Sequence, residues 1–284
     1  MSQAVMFIGG PRSGKSNYLF RIWLALERAT GRLLKDSLPD DVSYLHEGAS
    51  ALLTGRFAPH TSRDTQHTSI VPVRWKMADK EPGTLIMPDA SGELWLELYK
   101  QRAWPKTWDD LVTGKTGFVL MICAESPENV IPLDWLTCQR RYGAEQKPLP
   151  TSTPTQVMLV DWLQILRSIL ARKGNGSFSP RLSVVVTAWD RVQADQIYSS
   201  PTIYLDTQFP LLAQFLDSNT TGFATKVFGL SILGGDPDAD PNFRKHVQLS
   251  DPETLGYVRT VSRHGDERTT DVLEPIYWAL GVDT

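Results

Sequence analysis

Cysteine, an excess of one charge and long apolar runs are all scarce in this sequence. Only Cys123 and Cys138 occur among 284 residues, too few for a disulfide framework and not at the spacing of a zinc site. Lys and Arg number 29 against 32 Asp and Glu, a net charge of −3, which suits poorly a chain that grips nucleic-acid phosphates. No apolar stretch approaches the ~18–20 residues that span a bilayer. The opening MSQAVMFIGG carries no basic n-region and is not expected to be a signal peptide. These shortages predict a cytoplasmic protein with no nucleic-acid partner and no direct membrane insertion. Apolar residues make up 41% of the chain, enough for a substantial core. The length fits one large domain over 1–284, since single cores stop growing near ~250–300 residues.

Short apolar runs alternate with helical patterns. The runs are Ala4–Ile8, Ser69–Trp75, Thr84–Met87, Phe118–Cys123, Leu182–Thr187 and Lys226–Leu230. Their continuous apolar character suits strands buried on both faces. Helices are predicted over Ser16–Thr30 with a C-cap at Gly31, Gln156–Lys173 stopping at Gly174, Pro201–Leu216, and Asp271–Leu280. The alternation predicts an α/β fold: a three-layer, mostly parallel six-stranded sheet with helices on both faces. Three stretches read as loop insertions: the polar 32–64, the proline-rich 125–155, and the acidic 233–252 with its GGDPDADP.

The sharpest motif is Gly9-Gly10-Pro11-Arg12-Ser13-Gly14-Lys15-Ser16, which fits G-x-x-x-x-G-K-[ST] between an apolar run and a helix. Glycines let backbone N–H groups converge on phosphate oxygens, and the helix N-terminus, with Asn17 in its first turn, adds a favourable dipole. Lys15 is expected on the β- and γ-phosphates and the Ser16 hydroxyl on Mg²⁺. In Thr84–Glu93, a buried strand ends at Asp89, with Gly92 three residues later and Glu93 next. Asp89 there would hold Mg²⁺ through water, and the Gly92 N–H would meet the γ-phosphate. Asp190, after Val184–Thr187, would accept two hydrogen bonds from the guanine edge, which adenine does not offer. Ser231 and Ile232, at the end of the last run, suit backbone contact with a base carbonyl.

In their order and spacing, the phosphate loop, D-x-x-G, T-x-x-D and S-x-L resemble the motif series of Ras-like, translation-factor-related P-loop GTPases. More narrowly, the chain resembles the bacterial double-GTPase families, found in conflict and defence gene neighbourhoods beside a partner GTPase. The resemblance covers roughly 1–30, 65–124, 156–231 and 270–281, including the terminal VLEPIYWAL. It implies GTP or GDP as ligand, Mg²⁺ as cofactor, and a protein partner or regulator, with a second GTPase among the candidates. Carried over by position, Gly9, Gly14, Lys15 and Ser16 cradle phosphate and metal. Asp89 and Gly92 belong to the second switch, Asp190 reads guanine, and Ser231 is the small residue of the last motif.

Four positions depart from the family pattern. Thr187 replaces an Asn and Ala188 a Lys whose stem covers the base, leaving Trp189 as the expected apolar cover. Glu93 stands where a Gln orients water, and Pro11 removes an N–H and crowds a partner arginine's approach. Slow intrinsic hydrolysis is expected. The first-switch threonine is Thr65 or Thr68; Thr65 is preferred because Thr68 sits almost inside the strand. Arg12 and Arg63 are weighed as internal arginine fingers, although loop arginines are more often solvated. Asp236, Asp238 and Asp240 lack the glycine and glutamate of a calcium loop and read as a solvated turn. Trp95, Trp104, Trp108, Trp135, Trp162 and Trp278 are expected in the core or in the seams under the insertions, with a role as partner anchors left open. Two rival readings stay open: an ATPase or P-loop kinase, and a non-hydrolysing, nucleotide-bound interaction module.

Overall fold

The computed structural model describes residues 3–57, 67–77, 82–89, 92–127, 129–130, 153–173, 180–192, 200–219, 222–262 and 265–282. All six expected runs form strands: β1 Gln3–Ile8, β3 His67–Trp75, β4 Gly83–Asp89, β5 Thr116–Cys123, β6 Arg181–Thr187 and β7 Ala224–Ser231. The sheet is wider than expected. Three further strands, β2 Leu33–Lys35, β8 Tyr257–Ser262 and β9 Gly265–Thr269, give nine in the order β2-β3-β4-β1-β5-β6-β7-β8-β9. Parallel pairing joins β4, β1, β5, β6 and β7, while both flanks are antiparallel. The six-stranded, mostly parallel expectation therefore describes the centre only. The added strands escaped notice because none is a buried apolar run: β2 has three residues and β9, Gly265–Thr269, is largely exposed.

Helices cover both faces. On one lie α1 Lys15–Arg28, α2 Val42–Leu53, α8 Pro241–Leu249 and α9 Glu274–Ala279. On the other lie α3 Gly92–Gln101, α4 Lys106–Asp109, α5 Thr155–Lys173, α6 Pro201–Gln208 and α7 Pro210–Ser218. The first core gathers Phe7, Tyr18, Trp23 and Leu45 and the second Trp95, Trp108, Trp162 and Leu212. Trp23, Trp95 and Trp162 are wholly buried, and truncating any of them to Ala would cost ~3–5 kcal/mol.

Several elements correct the sequence reading. Region 32–64 is not all loop, since it contains β2 and α2. In α2, Leu45, Ala49 and Leu52 make the apolar stripe, and a Cβ at Gly48 would lie 2.3 Å from the Phe20 ring. Region 233–252 holds α8, where Asp240 accepts the Asn242 N–H at 2.8 Å as N-cap and Pro241 opens the helix. The Asp-Pro pair read as a turn is a helix start. Of 125–155, residues 128 and 131–152, with Trp135, lie outside the described residues. The expected helix over 201–216 is two, broken at Phe209-Pro210. Buried Gln156 serves both sides of the break, donating to Gln208 O at 3.2 Å and accepting from Leu211 N at 2.8 Å. The left-handed C-cap of α1 is Ala29, φ 53°, rather than Gly31; Gly31 instead leaves room for the Tyr277 hydroxyl. Among the described residues no helix is long and apolar enough to cross a membrane.

Candidate nucleotide site

Parallel strands bring their C-terminal ends to one edge, and the expected motifs meet there. Met6 pairs with Ile86, Ile8 with Leu120, Cys123 with Thr187 and Thr187 with Leu230. Asp89 lies three residues past Ile86, as Gly9 lies three past Met6, so the strand-end acid reaches the level of the phosphate loop. The loop between β1 and α1 turns through left-handed backbone at Arg12 (φ 55°) and Gly14 (φ 90°). Gly9 has no room for a side chain, since a Cβ there would lie 2.5 Å from Ser13 Oγ and 3.0 Å from Met121 O. Lys15, only 6% exposed, donates from Nζ to Gly9 O at 2.6 Å, Gly10 O at 2.9 Å and Ser13 Oγ at 3.3 Å. Ser16 and Asn17 are half-buried in the first turn of α1, while Pro11 and Arg12 are exposed at the tip.

Thr187 fastens this loop to the sheet. Its Oγ1 donates to Ser13 O at 2.8 Å and sits 3.4 Å from Ile122 O. The hydroxyl thus does local work at the position where the family pattern has Asn. Beyond it, Ala188 is left-handed (φ 53°) and a single 3₁₀ turn follows over Trp189–Arg191. Trp189 is 3% exposed, lies edge-on to Tyr204 at 5.7 Å, and fills the space left by Gly229. It is a core residue, so the expectation that it covers the base is corrected. Asp190 is half-buried and accepts no hydrogen bond among the described residues. Its negative charge reaches two neighbours: burial raises the Cys123 thiol and the Tyr257 phenol above their usual ranges, and Asp190 adds to both.

Arg191 ties the loop after β6 to the one after β7 by donating to Asp236 at 2.7 Å. Burial pushes the Asp236 carboxyl upward, but Arg191 and the amides of Asp238 and Ala239 bring it below its ordinary value. Asp238 pairs with Arg244 at 2.9 Å and Asp240 caps α8, so each aspartate of the acidic run has a structural partner. Ser231 spends its hydroxyl on the Gly234 N–H at 3.0 Å, and Ile232 O accepts from Arg21 Nε at 3.2 Å. Buried Arg21 also donates to Pro252 O and Leu255 O, each at 2.9 Å. Burial lowers its pKa to about 10, so it stays cationic at neutral pH. Sequence reasoning passed over it; the signal was a charge between Phe20 and Ile22 on a helix that is apolar nearly all round.

Gly92 and Glu93, expected in the second switch, open α3. Trp162 Nε1 donates to Trp95 O at 2.9 Å, and its ring tip lies 3.7 Å from a Cβ built on Gly10. Trp95 stacks on Trp162 at 5.3 Å and on Trp108 at 4.8 Å. The expected core role of these rings holds, and they also join the phosphate loop to α3. A cavity of about 260 Å³ opens beside the loop, between Pro11, Cys123, Lys100 and Met158. Thr68 is a strand residue paired with Pro88, whereas Thr65 and Arg63 lie outside the described residues. The side chains of Asp89 and Glu93 are likewise undescribed.

By residue type and position, Ser16 and Asp89 match the donors that Mg²⁺ would take here. One hydroxyl at the loop's end and one carboxylate at a neighbouring strand's end suit a cation that keeps most of its waters and takes phosphate oxygens. Among the described residues there is no cluster of three His, Cys, Asp or Glu.

A glycine-rich turn closing on a helix N-terminus, at the carboxyl edge of a parallel sheet, defines a P-loop-like α/β fold. The Double-GTPase 1 family profile matches residues 6–279. The chain belongs to that family. No curated protein sequence matches it. Among solved structures, it is similar to the S. cerevisiae Ski7 GTPase-like domain bound to GDP and inorganic phosphate, at 12% identity and a TM-score of 0.44. That match covers 81% of this chain but only 43% of the Ski7 chain, and the same domain bound to GTP matches equally. The SRb-GTP/SRX complex of the Chaetomium thermophilum signal recognition particle receptor is similar at 14% identity and a TM-score of 0.36, covering 87% of this chain and 98% of that one.

Proposed function

We propose that this protein is a GTP-binding switch that hydrolyses GTP slowly and presents its nucleotide state to a protein partner. The observation that carries the reading is the phosphate loop, folded through Arg12 and Gly14 and tethered by Thr187, in a Double-GTPase 1 chain. Backbone N–H groups of the loop, other than at Pro11, would meet phosphate oxygens, and Lys15 would turn from the loop carbonyls to the β–γ bridge. Ser16, Asp89 and Thr65 would hold Mg²⁺, which supplies charge neutralisation on the phosphates when bound. Water attacks the γ-phosphorus while the bond to the β–γ bridging oxygen breaks, leaving GDP and inorganic phosphate. Glu93 orients that water or accepts its proton, and Gly92 offers its N–H to the γ-phosphate. A carboxylate beside a triphosphate is repelled, which is the reason to expect a slow rate.

At the other end of the nucleotide, Asp190, which accepts no hydrogen bond among the described residues, would be the acceptor for the guanine edge, with Ser231 and Ile232 beside it. The partner, a second GTPase in the strongest form of the idea, would read the 57–68 and 89–104 segments. A cytoplasmic role in bacterial conflict or defence belongs to the same proposal. One observation favours a rival: Ala188 and the buried Trp189 leave the base without the usual cover, which suits an ATPase or a non-hydrolysing module. Titration with labelled GTP and ATP, followed by phosphate release, separates them. GTP preference with turnover supports the switch, ATP preference the ATPase or kinase, and binding without turnover the interaction module.

A further inference from the structure

Arg21 is the one fully buried guanidinium among the described residues, at 4% exposure, and it pairs with carbonyl groups. Its Nε and Nη2 reach Ile232 O, Pro252 O and Leu255 O at 3.2, 2.9 and 2.9 Å. These carbonyls belong to two segments, the turn after β7 and the 3₁₀ turn before β8. Both segments also press on one another at Gly256, where φ is +79° and a Cβ would lie 2.5 Å from Ile232 O. Arg21 itself rides on α1, the helix that opens at Lys15. Six helical residues, ~9 Å of rise, separate it from the phosphate loop. A cation desolvated against bare dipoles is costly unless hydrogen-bonded throughout. A neutral apolar residue would fill the volume at less cost, so the charge suggests a positional task.

We infer that Arg21 is a positioning residue for base recognition, fixing the Ser231–Ile232 turn at a set distance from the phosphate loop. It touches no nucleotide atom; it acts through the Ile232 carbonyl and the turn that backs it. The inference rests on the reading of this edge as the nucleotide site and deepens it, because it separates the residues that grip phosphate from those that hold the base. Losing the tie frees the base-side turn and leaves the phosphate grip as it was.

Calorimetric titration of the full chain with GTP, ATP and inorganic tripolyphosphate, each with magnesium, tests this. Arg21→Lys keeps the charge but loses the fork, and Gly256→Ala displaces the same turn with Arg21 intact. For both variants GTP affinity should fall on the order of tenfold and the GTP-to-ATP ratio should narrow. Tripolyphosphate, which has no base, should bind within about twofold of the parent, and that retained binding also reports an intact fold. Equal losses for all three ligands, unchanged GTP affinity, or loss of tripolyphosphate binding in both variants would overturn the inference. A parent protein that binds GTP and ATP alike defeats the guanine reading instead. Arg21 is then judged on the gap between nucleotide and tripolyphosphate.

Discussion

Single side chains at the sheet's carboxyl edge divide into those that shape the phosphate loop and those left open to a ligand. Thr187 is of the first kind. Thr187→Val removes its hydrogen bond to Ser13 O and should destabilise the protein by ~1 kcal/mol, lowering its melting temperature by a few degrees. Triphosphate affinity should fall with it in calorimetric titration; an unchanged affinity would show that the tether does not matter. Asp190 is of the second kind, with no hydrogen bond of its own among the described residues. Asp190→Asn offers one acceptor and one donor where guanine presents two donors, so preference for GTP over ATP should shrink by tenfold or more. Unchanged discrimination would remove Asp190 from base recognition. The Arg191–Asp236 bond carries a pH dependence with a definite sign. Asp236 is held below its ordinary value, so its contribution is present above the usual carboxylate range and is lost as pH falls through the lowered value. Guanine affinity measured down an acid series should fall in the parent as pH passes the lowered value, whereas Asp236→Asn should start lower and lack that step. The reason is that the variant lacks the clamp at every pH.

Between elements, the connection of interest runs from Gly10 through Trp162 to Trp95 and α3. Packed rings transmit small displacements because they have few alternative arrangements. Exchange of GDP for a non-hydrolysable GTP analogue should therefore change intrinsic tryptophan fluorescence, and Trp162→Phe should abolish most of that change while binding persists. An identical fluorescence response in the variant would break the proposed link. Gln156 makes a structural test of the same layer. Gln156→Leu strands the Leu211 N–H and the Gln208 carbonyl at the α6–α7 break, which should cost ~2–3 kcal/mol by denaturant unfolding. The six central strands and the long helices were legible in the sequence because each is a buried apolar run or a stripe of one period. The edge strands and α2 were not. β9 is too polar and β2 too short to stand out, and the buried stripe of α2, Leu45, Ala49 and Leu52, sits in a stretch that reads as polar and loop-like as a whole. The site divides in the same way. The phosphate loop has a sequence signature, whereas the role of Arg21 depends on carbonyls more than 200 residues away and the burial of Trp189 on its packing against Tyr204 and Gly229.

As a whole, the molecule is a parallel sheet widened at both edges by antiparallel strands, with the phosphate-loop motif and the turns after β6 and β7 along one end. Arg21 and Arg191 reach across that end from α1 and from the turn after β6, tying the loop after β7 to both on a single frame. The account stands or falls on whether that frame holds a guanine triphosphate. Thermal unfolding of the purified chain with magnesium, alone and with saturating GTP, asks this most directly, with Lys15→Ala beside it. A ligand at a hundred times its dissociation constant adds ~2.7 kcal/mol of stability, so the parent should melt several degrees higher with GTP, less so with ATP, and Lys15→Ala should not respond. No shift in the parent with either nucleotide would contradict the account.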